Sequence, residues 1–221
     1  MNKTSRKSEI LVLGDSHADI FNHPICINLF PNSFFMVVSV PGATISGLQN
    51  PNSVTQALPI FEGHLKTSSA KTLLCLLGEV DVGFLIWYQA ERYGFSVKEM
   101  TRLALDKYQS FLLNLKSYGK VICVSTPLPT ISDHNDWGDV SNKRKEVRAT
   151  QRERTDLTLS FNFEMQAYCA ANNIIYIACD EDLLASNHLL RSDFLNSNPL
   201  DHHYNPTQFA SLLASKLNQL L

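Results

Sequence analysis

A serine, a pair of histidines and an aspartate stand where this 221-residue chain could use them together: Ser16 in Gly14-Asp15-Ser16-His17, and Asp201-His202-His203 near the C-terminus. A serine hydroxyl is a poor nucleophile until a base, usually an imidazole, lies within hydrogen-bond reach and something orients that base. Attack on a carbonyl also needs N–H donors for the oxyanion that forms. His203 or His202 could be the base, with Asp201 or another carboxylate orienting it. Ser16 could offer its own backbone N–H, and Gly42 an unobstructed one. Singly these features are ordinary, since a serine in a turn usually caps a helix and a His-His pair is usually solvated. Their joint position in the fold gives them weight.

The elements that must position them alternate. Strand-like apolar runs cover Glu9 to Leu13, Phe34 to Val40, Lys71 to Leu77, Lys120 to Ser125 and Ile174 to Ala178. All are short and apolar on both faces, as expected of a parallel sheet covered by helices on both sides. Between them, Val97 to Tyr118 carries apolar residues at 97, 100, 103, 104, 108, 111, 112 and 115, a 3.6-residue period. Gly119 supplies a stop. Arg144 to Ala171 reads as a second long helix, and Asn205 to Leu221 as a third with Pro206 in its first turn. This order predicts an α/β fold: a three-layer α/β/α sandwich around a mainly parallel five-stranded sheet, in one domain over residues 1–221. Ligands in such sheets bind beyond the carboxyl ends of the strands. Those ends carry Gly14-Asp15-Ser16-His17, Pro41-Gly42-Ala43-Thr44, Gly78-Glu79-Val80-Asp81 and Thr126-Pro127-Leu128-Pro129. Asp201-His202-His203 follows before the last helix.

On these residues the chain resembles the SGNH hydrolases, also called the GDSL esterase/lipase superfamily. Leu11 to His17 resembles the first block, with Ser16 at the nucleophile. Val40 to Thr44 resembles the second, whose glycine N–H is an oxyanion donor and falls on Gly42. Leu77-Gly78-Glu79-Val80-Asp81 resembles the third, normally Gly-x-Asn-Asp. His203-Tyr204-Asn205-Pro206 resembles the last, normally Asp-x-x-His before an amphipathic helix. The blocks run in family order from 14 to 206. The resemblance implies a flavodoxin-like sandwich, an ester substrate, an acyl-enzyme and no cofactor. It places Ser16, His203 and Asp201 as catalytic, with Gly42, Gly78, Glu79, Asp81, Asp15 and His17 around the oxyanion and substrate.

Two positions depart from the pattern. Val80 stands where the family's asparagine would donate its amide to the oxyanion, and the loss of one such donor is worth roughly 10²–10³ in rate. Leu200 stands where the family's aspartate belongs, so Asp201 lies two residues before His203 instead of three. Either Asp201 still reaches the ring, or the site is a Ser–His dyad or borrows a distant group. Tyr204-Asn205-Pro206 favours His203 over His202 as the base.

Arg144, Arg148 and Arg152 are spaced four apart and would share one helix face. Lys143 to Arg154 holds six basic and two acidic residues. That is a solvated face, or the seat of an anionic ligand or partner. The polar loop before it carries Asp133, His134, Asp136 and Trp137. Phe84 to Tyr88 and Tyr93 could wall a pocket or pack the core. His17, His134 and His188 lack metal-ligand spacing, so no metal is expected. Ser68-Ser69-Ala70-Lys71 matches S-x-x-K by chance, without its companion motifs. No G-x-S-x-G elbow, P-loop or G-x-G-x-x-G is present.

Composition bounds the rest. The chain is 44% hydrophobic and 18% charged with a net charge of −2, which argues against disorder and gives no reason to expect nucleic acid or an anionic membrane. No apolar run reaches the roughly 18 residues of a membrane span. The basic N-terminus is a poor signal peptide, and five cysteines without a C-x-x-C pair read as buried hydrophobes in a reducing compartment. Together these predict a cytoplasmic serine esterase, with O-acetyl or other short-chain esters on a glycan or small molecule as substrate. The alternatives are an acyltransferase and a non-catalytic binding protein on the same scaffold.

Overall fold

Alternation along the strands sorts the core into two layers. In the computed structural model, which describes residues 7–133 and 147–220, Leu11, Leu13, Leu73, Cys75, Val121 and Cys123 point to one face of the sheet. Their neighbours Ile10, Val12, Leu74, Leu76, Ile122 and Val124 point to the other. Both faces are buried because helices cover both, and three of the strands therefore read as continuous apolar runs.

The strands are β1 (Ser8–Gly14), β2 (Ser33–Ser39), β3 (Thr72–Leu76), β4 (Lys120–Val124) and β5 (Ile175–Ile177). They form one sheet of order β2-β1-β3-β4-β5, parallel throughout. Helices α1 (Pro24–Leu29), α2 (Ile45–Leu48), α3 (Ala57–Thr67), α4 (Ile86–Tyr93), α5 (Val97–Leu115), α6 (Gln151–Ala171), α7 (Asp180–Leu183) and α8 (Pro206–Leu217) join them, with 3-10 helices over Ser16–Asn22 and Ser192–Phe194 and a π-helical turn over Asp81–Leu85. Residues of α2, α3, α5 and α6 pack on the first face. Those of the 3-10 helix, α1 and α8 pack on the second. The α/β sandwich expected from the sequence is the observed fold.

The chain leaves β1 for β2 on one side and returns to β3 on the other. The carboxyl end of β1 therefore lies at the topological switch point, where open parallel sheets form their crevice. The close fit at this end requires Gly14, because a Cβ there would lie 2.4 Å from the Leu76 carbonyl oxygen and 2.6 Å from the Ala18 Cβ. The first turn is held to its neighbours by the Val40 N–H, which donates to the Gly14 carbonyl at 2.9 Å.

Three readings of the sequence are corrected. The second long helix begins at Gln151, since Thr150 and Glu153 form a reciprocal capping box. Arg148 precedes that helix and Arg144 lies outside the described residues, so Arg148 and Arg152 do not share a helix face. Arg154 is buried, with Nη2 donating to the Ile131 carbonyl at 2.7 Å. β2 is an edge strand whose Phe34 and Met36 are exposed, so its apolar character does not mean burial on both faces. The remaining helix ends shift slightly: Asn205 caps α8 from outside it, and α5 ends at Leu115.

Asp81, which opens a π-helical turn before α4, shows how a polar group positions this scaffold. It is buried, and its carboxylate accepts the N–H groups of Ile45 (2.7 Å) and Ser46 (3.0 Å) at the start of α2. Burial pushes its pKa up to about 6, while those hydrogen bonds hold it down. Asp81→Ala leaves two backbone donors unpaired and is expected to cost about 1–3 kcal/mol, or roughly 2–12 °C in Tm. A carboxyl whose folded pKa is raised contributes stability fully below its unfolded pKa and loses it as pH rises through about 6. Thermal melts should therefore show a larger cost of the substitution near about pH 5 than near about pH 7.5.

Candidate active site

The turn after β1 is an Asp-x-His unit closed on itself. Asp15 Oδ1 accepts the backbone N–H of His17 at 2.9 Å and contacts its ring Nδ1 at 3.1 Å. This Asx arrangement caps the 3-10 helix and leaves Ser16 as its first residue, where an N–H has no partner inside the helix. The same unit recurs 186 positions later. Asp201 Oδ1 accepts the His203 backbone N–H at 2.9 Å and meets its Nδ1 at 2.6 Å. A spacing of two thus brings the carboxylate onto the ring, because an Asx turn already points it at residue i+2. The same geometry explains why Asp201 serves here while Leu200, at the usual spacing, is exposed.

The two units face each other. His203 Nε2 lies 2.9 Å from Ser16 Oγ, so Ser16, His203 and Asp201 form one continuous chain of hydrogen bonds. His202 does not take that place: its ring packs against His203, tilted by 35° with centroids 4.2 Å apart. The His17 ring packs 4.8 Å from His203 and 6.0 Å from His202, so the three rings form one cluster.

Neighbouring segments fix the histidine loop. Thr130 Oγ1 donates to the His202 carbonyl at 2.6 Å, and the Tyr204 hydroxyl donates to the Leu128 carbonyl at 3.0 Å. Leu195 and Tyr204 form an antiparallel bridge. Asn196 Nδ2 donates to Asp201 Oδ2 at 3.1 Å, holding the oxygen that His203 does not use. Sequence reading missed Asn196. Its only signal was an amide a few residues before the aspartate.

Burial would raise the Asp201 carboxyl, but the hydrogen bonds from His203 and the positive character of both imidazoles outweigh it and hold the carboxyl below its usual range. An ionised carboxylate facing Nδ1 fixes the tautomer that leaves Nε2 free to accept a proton.

The other candidates divide. Gly42 sits in the turn after β2, exposed, with a left-handed φ of 73° that favours glycine. Ala43 N–H closes this turn by donating to the Val40 carbonyl at 2.9 Å. Asp15, Glu79 and Asp81 are buried: Asp15 serves the 3-10 cap and Asp81 the start of α2, and neither presents a carboxylate to a substrate. Gly78 is buried against Thr126. Val80 lies at the start of the helical turn after β3, with no polar side-chain atom to offer. Phe84 and Tyr88 pack against each other with tilted rings, and Ile86 and Ala90 of α4 enter the core.

All five cysteines are free and buried. Burial pushes Cys26 up to about 11 and Cys75 and Cys179 up to about 12, which leaves those three inert as nucleophiles. Ser68 and Ser69 bond Glu9 at the opposite edge of the sheet. Asp201, His202 and His203 offer ligand atoms within 4.8 Å of one another. However, Asp201 Oδ1 and both ring nitrogens of His203 are already turned toward each other and Ser16, which is a proton-transfer arrangement more than a metal cage. His134 lies outside the described residues.

Comparison with known proteins gives the fold its name. No protein-family model matches the chain, and no curated protein matches it. Solved structures do. A GDSL-like lipase from Bacteroides thetaiotaomicron superposes with a TM-score of 0.61 over 97% of this chain and 89% of its own, at 14% identity. A member of the lipolytic protein G-D-S-L family from Veillonella parvula gives 0.57 over 97% and 98%, at 17% identity. The chain has the SGNH-hydrolase fold. A psychrotrophic esterase from Pseudoalteromonas, in a structure inhibited by monoethylphosphonate, shares that SGNH scaffold with a TM-score of 0.53 over 97% and 98%, at 13% identity. On the SGNH scaffold Ser16 occupies the first strand end and His203 the turn before the last helix. Among the described residues, no helix is long and apolar enough to cross a membrane.

Proposed function

We propose that this protein is a serine hydrolase of carboxylic esters that works through an acyl-enzyme. The observation that carries the reading is the unbroken path from Ser16 Oγ to His203 Nε2 (2.9 Å) and from His203 Nδ1 to Asp201 Oδ1 (2.6 Å). Ser16 gives its proton to Nε2 as Oγ attacks the ester carbonyl carbon. The carbonyl oxygen becomes an oxyanion and is held by the backbone N–H groups of Ser16 and Gly42. Asp201 stabilises the imidazolium and keeps its orientation. Collapse breaks the bond to the leaving oxygen, which takes the proton from Nε2 and departs as the alcohol. Water, deprotonated by His203, then attacks the acyl-Ser16 ester and returns the free acid and the starting enzyme.

Val80 leaves this oxyanion hole with two backbone donors and no side-chain amide. The missing donor is worth roughly 10²–10³ in rate, so turnover is modest beside a site with three. With Gly42 exposed, the acyl side sets no demand on chain length, and an acetyl group suffices. The reading is supported over a non-catalytic one by the Ser16–His203 contact, which has no structural duty on the surface of a turn.

The test is pre-steady-state hydrolysis of phenyl acetate. A burst of phenol equal to the enzyme concentration is expected, with the acetyl group found by mass spectrometry on the peptide containing Ser16. Phenol release no faster than with boiled protein, and no adduct, would defeat the reading.

A further inference from the structure

A cleft of about 420 Å³ opens from Ser16 and His203 and runs between the 3-10 helix and α8. We propose that it is the subsite for the alcohol half of the ester and that it selects an apolar alcohol, aryl or medium-chain alkyl, over a sugar. The inference rests on the hydrolase reading and adds which half of the substrate confers specificity.

Direction comes from proton transfer. The leaving oxygen must face His203 Nε2, because that nitrogen delivers its proton. The carbonyl oxygen must face the N–H groups of Ser16 and Gly42. His203, Tyr204 and Pro206 form the cleft's wall on the imidazole side, whereas Gly42 and Val80 are not in its wall. A group bonded to the leaving oxygen enters this cleft, and the acyl group lies outside it toward the turn after β2.

Selectivity comes from the lining. Ile20, Pro24, Tyr204, Pro206 and Phe209 give it a mainly carbon surface. The polar atoms near the reacting centre are already engaged. The Tyr204 hydroxyl is bound to Leu128, Asn196 Nδ2 to Asp201, His17 Nδ1 to Asp15 and His23 Nδ1 to the Ile25 N–H. Asp19 and Asn22, like Pro24 and Pro206, are exposed. Sugar hydroxyls entering here would give up water without gaining equivalent partners, whereas an apolar group gains burial. The volume falls within the roughly 300–1,000 Å³ range of small-molecule pockets.

Two ester series test this, with kcat/KM as the readout. In one, acetate is fixed and the alcohol grows from methyl through butyl and hexyl to 2-phenylethyl, all alkanols of similar leaving ability, with an acetylated glucose alongside. In the other, methanol is fixed and the acyl chain grows. Rates are expected to climb about three- to fourfold per added methylene in the alcohol series, from the burial of each CH₂, and to change little in the acyl series. Ile20→Trp should fill the cleft and collapse the hexyl-to-methyl ratio toward one. Ile20→Ala, which leaves the cleft open, should keep it high, and thermal melts confirm that both variants are folded. Preference for the acetylated sugar, or a wild-type preference set by the acyl chain, would overturn the proposal while leaving the hydrolase reading intact. Failure of Ser16 to be acylated by any ester would instead defeat both.

Discussion

Ser16→Ala is expected to lower kcat/KM for phenyl acetate by a factor on the order of 10⁴ to 10⁶, with His203→Ala falling in the same range. The reason is geometric. Ser16 Oγ and His203 Nε2 are 2.9 Å apart, so each is useless without the other: a hydroxyl with no base keeps its proton, and a base with no hydroxyl has nothing to activate. The double variant should therefore be little worse than either single one, and this non-additivity separates a shared chemical step from two independent defects. Neither change should unfold the protein, because both side chains lie at the rim of the switch-point crevice and are partly exposed. Steady-state rates on the three variants, with melting curves for each, check it. A loss below tenfold in Ser16→Ala would mean that another group performs the attack.

Asp201→Asn carries the second-largest effect. An asparagine can still accept the His203 N–H and preserve the Asx turn, so the loop keeps its shape. What it loses is the negative charge opposite Nδ1, and with it the preference for the tautomer that bares Nε2. A fall in kcat of roughly 10³–10⁴ is expected, by the logic that holds for a buried aspartate in a serine triad. Here the Asp201 side chain is 36% exposed, and water screens part of its field, which places the effect toward the lower end. Asn196→Ala acts on the chemical step through Asp201, so it should cost far less. Its signature would be a shift in the pH profile of kcat, which a merely structural role for Asn196 would not produce.

The strands were readable because burial on both faces leaves no polar interruption. Leu11-Val12-Leu13, Leu73-Leu74-Cys75-Leu76 and Val121-Ile122-Cys123-Val124 supply both core layers. β2 carries the same kind of residues but lies at the sheet edge, and nothing in Phe34 to Val38 distinguishes an edge from a centre. The start of α6 was misplaced for the opposite reason. A run of arginines suits a helix, yet Thr150 and Glu153 close a capping box there, and the box outweighs propensity.

At the site, residue type and strand-end position were enough to single out Ser16, Asp201 and His203. Spacing was a poorer guide. The template's three-residue gap pointed to Leu200, and only the Asx geometry explains why a two-residue gap brings a carboxylate to Nδ1. The twin unit at Asp15-Ser16-His17 was visible as letters, but its inward-facing carboxylate was not. Glu79 and Asp81 lie in a motif and were assigned to the substrate, although burial takes both away from it. Asn196 could not be found at all, since its partner is set by the bridge between Leu195 and Tyr204.

Reaction of the intact protein with a small fluorophosphonate, followed by peptide mass spectrometry, tests the central claim most directly. The reagent requires only an activated serine and an oxyanion site, not the right ester. One equivalent of phosphonyl group on Ser16, absent in Ser16→Ala and His203→Ala, is the expected result. Folded wild-type protein that stays unmodified, or that is labelled at another serine, would contradict the account.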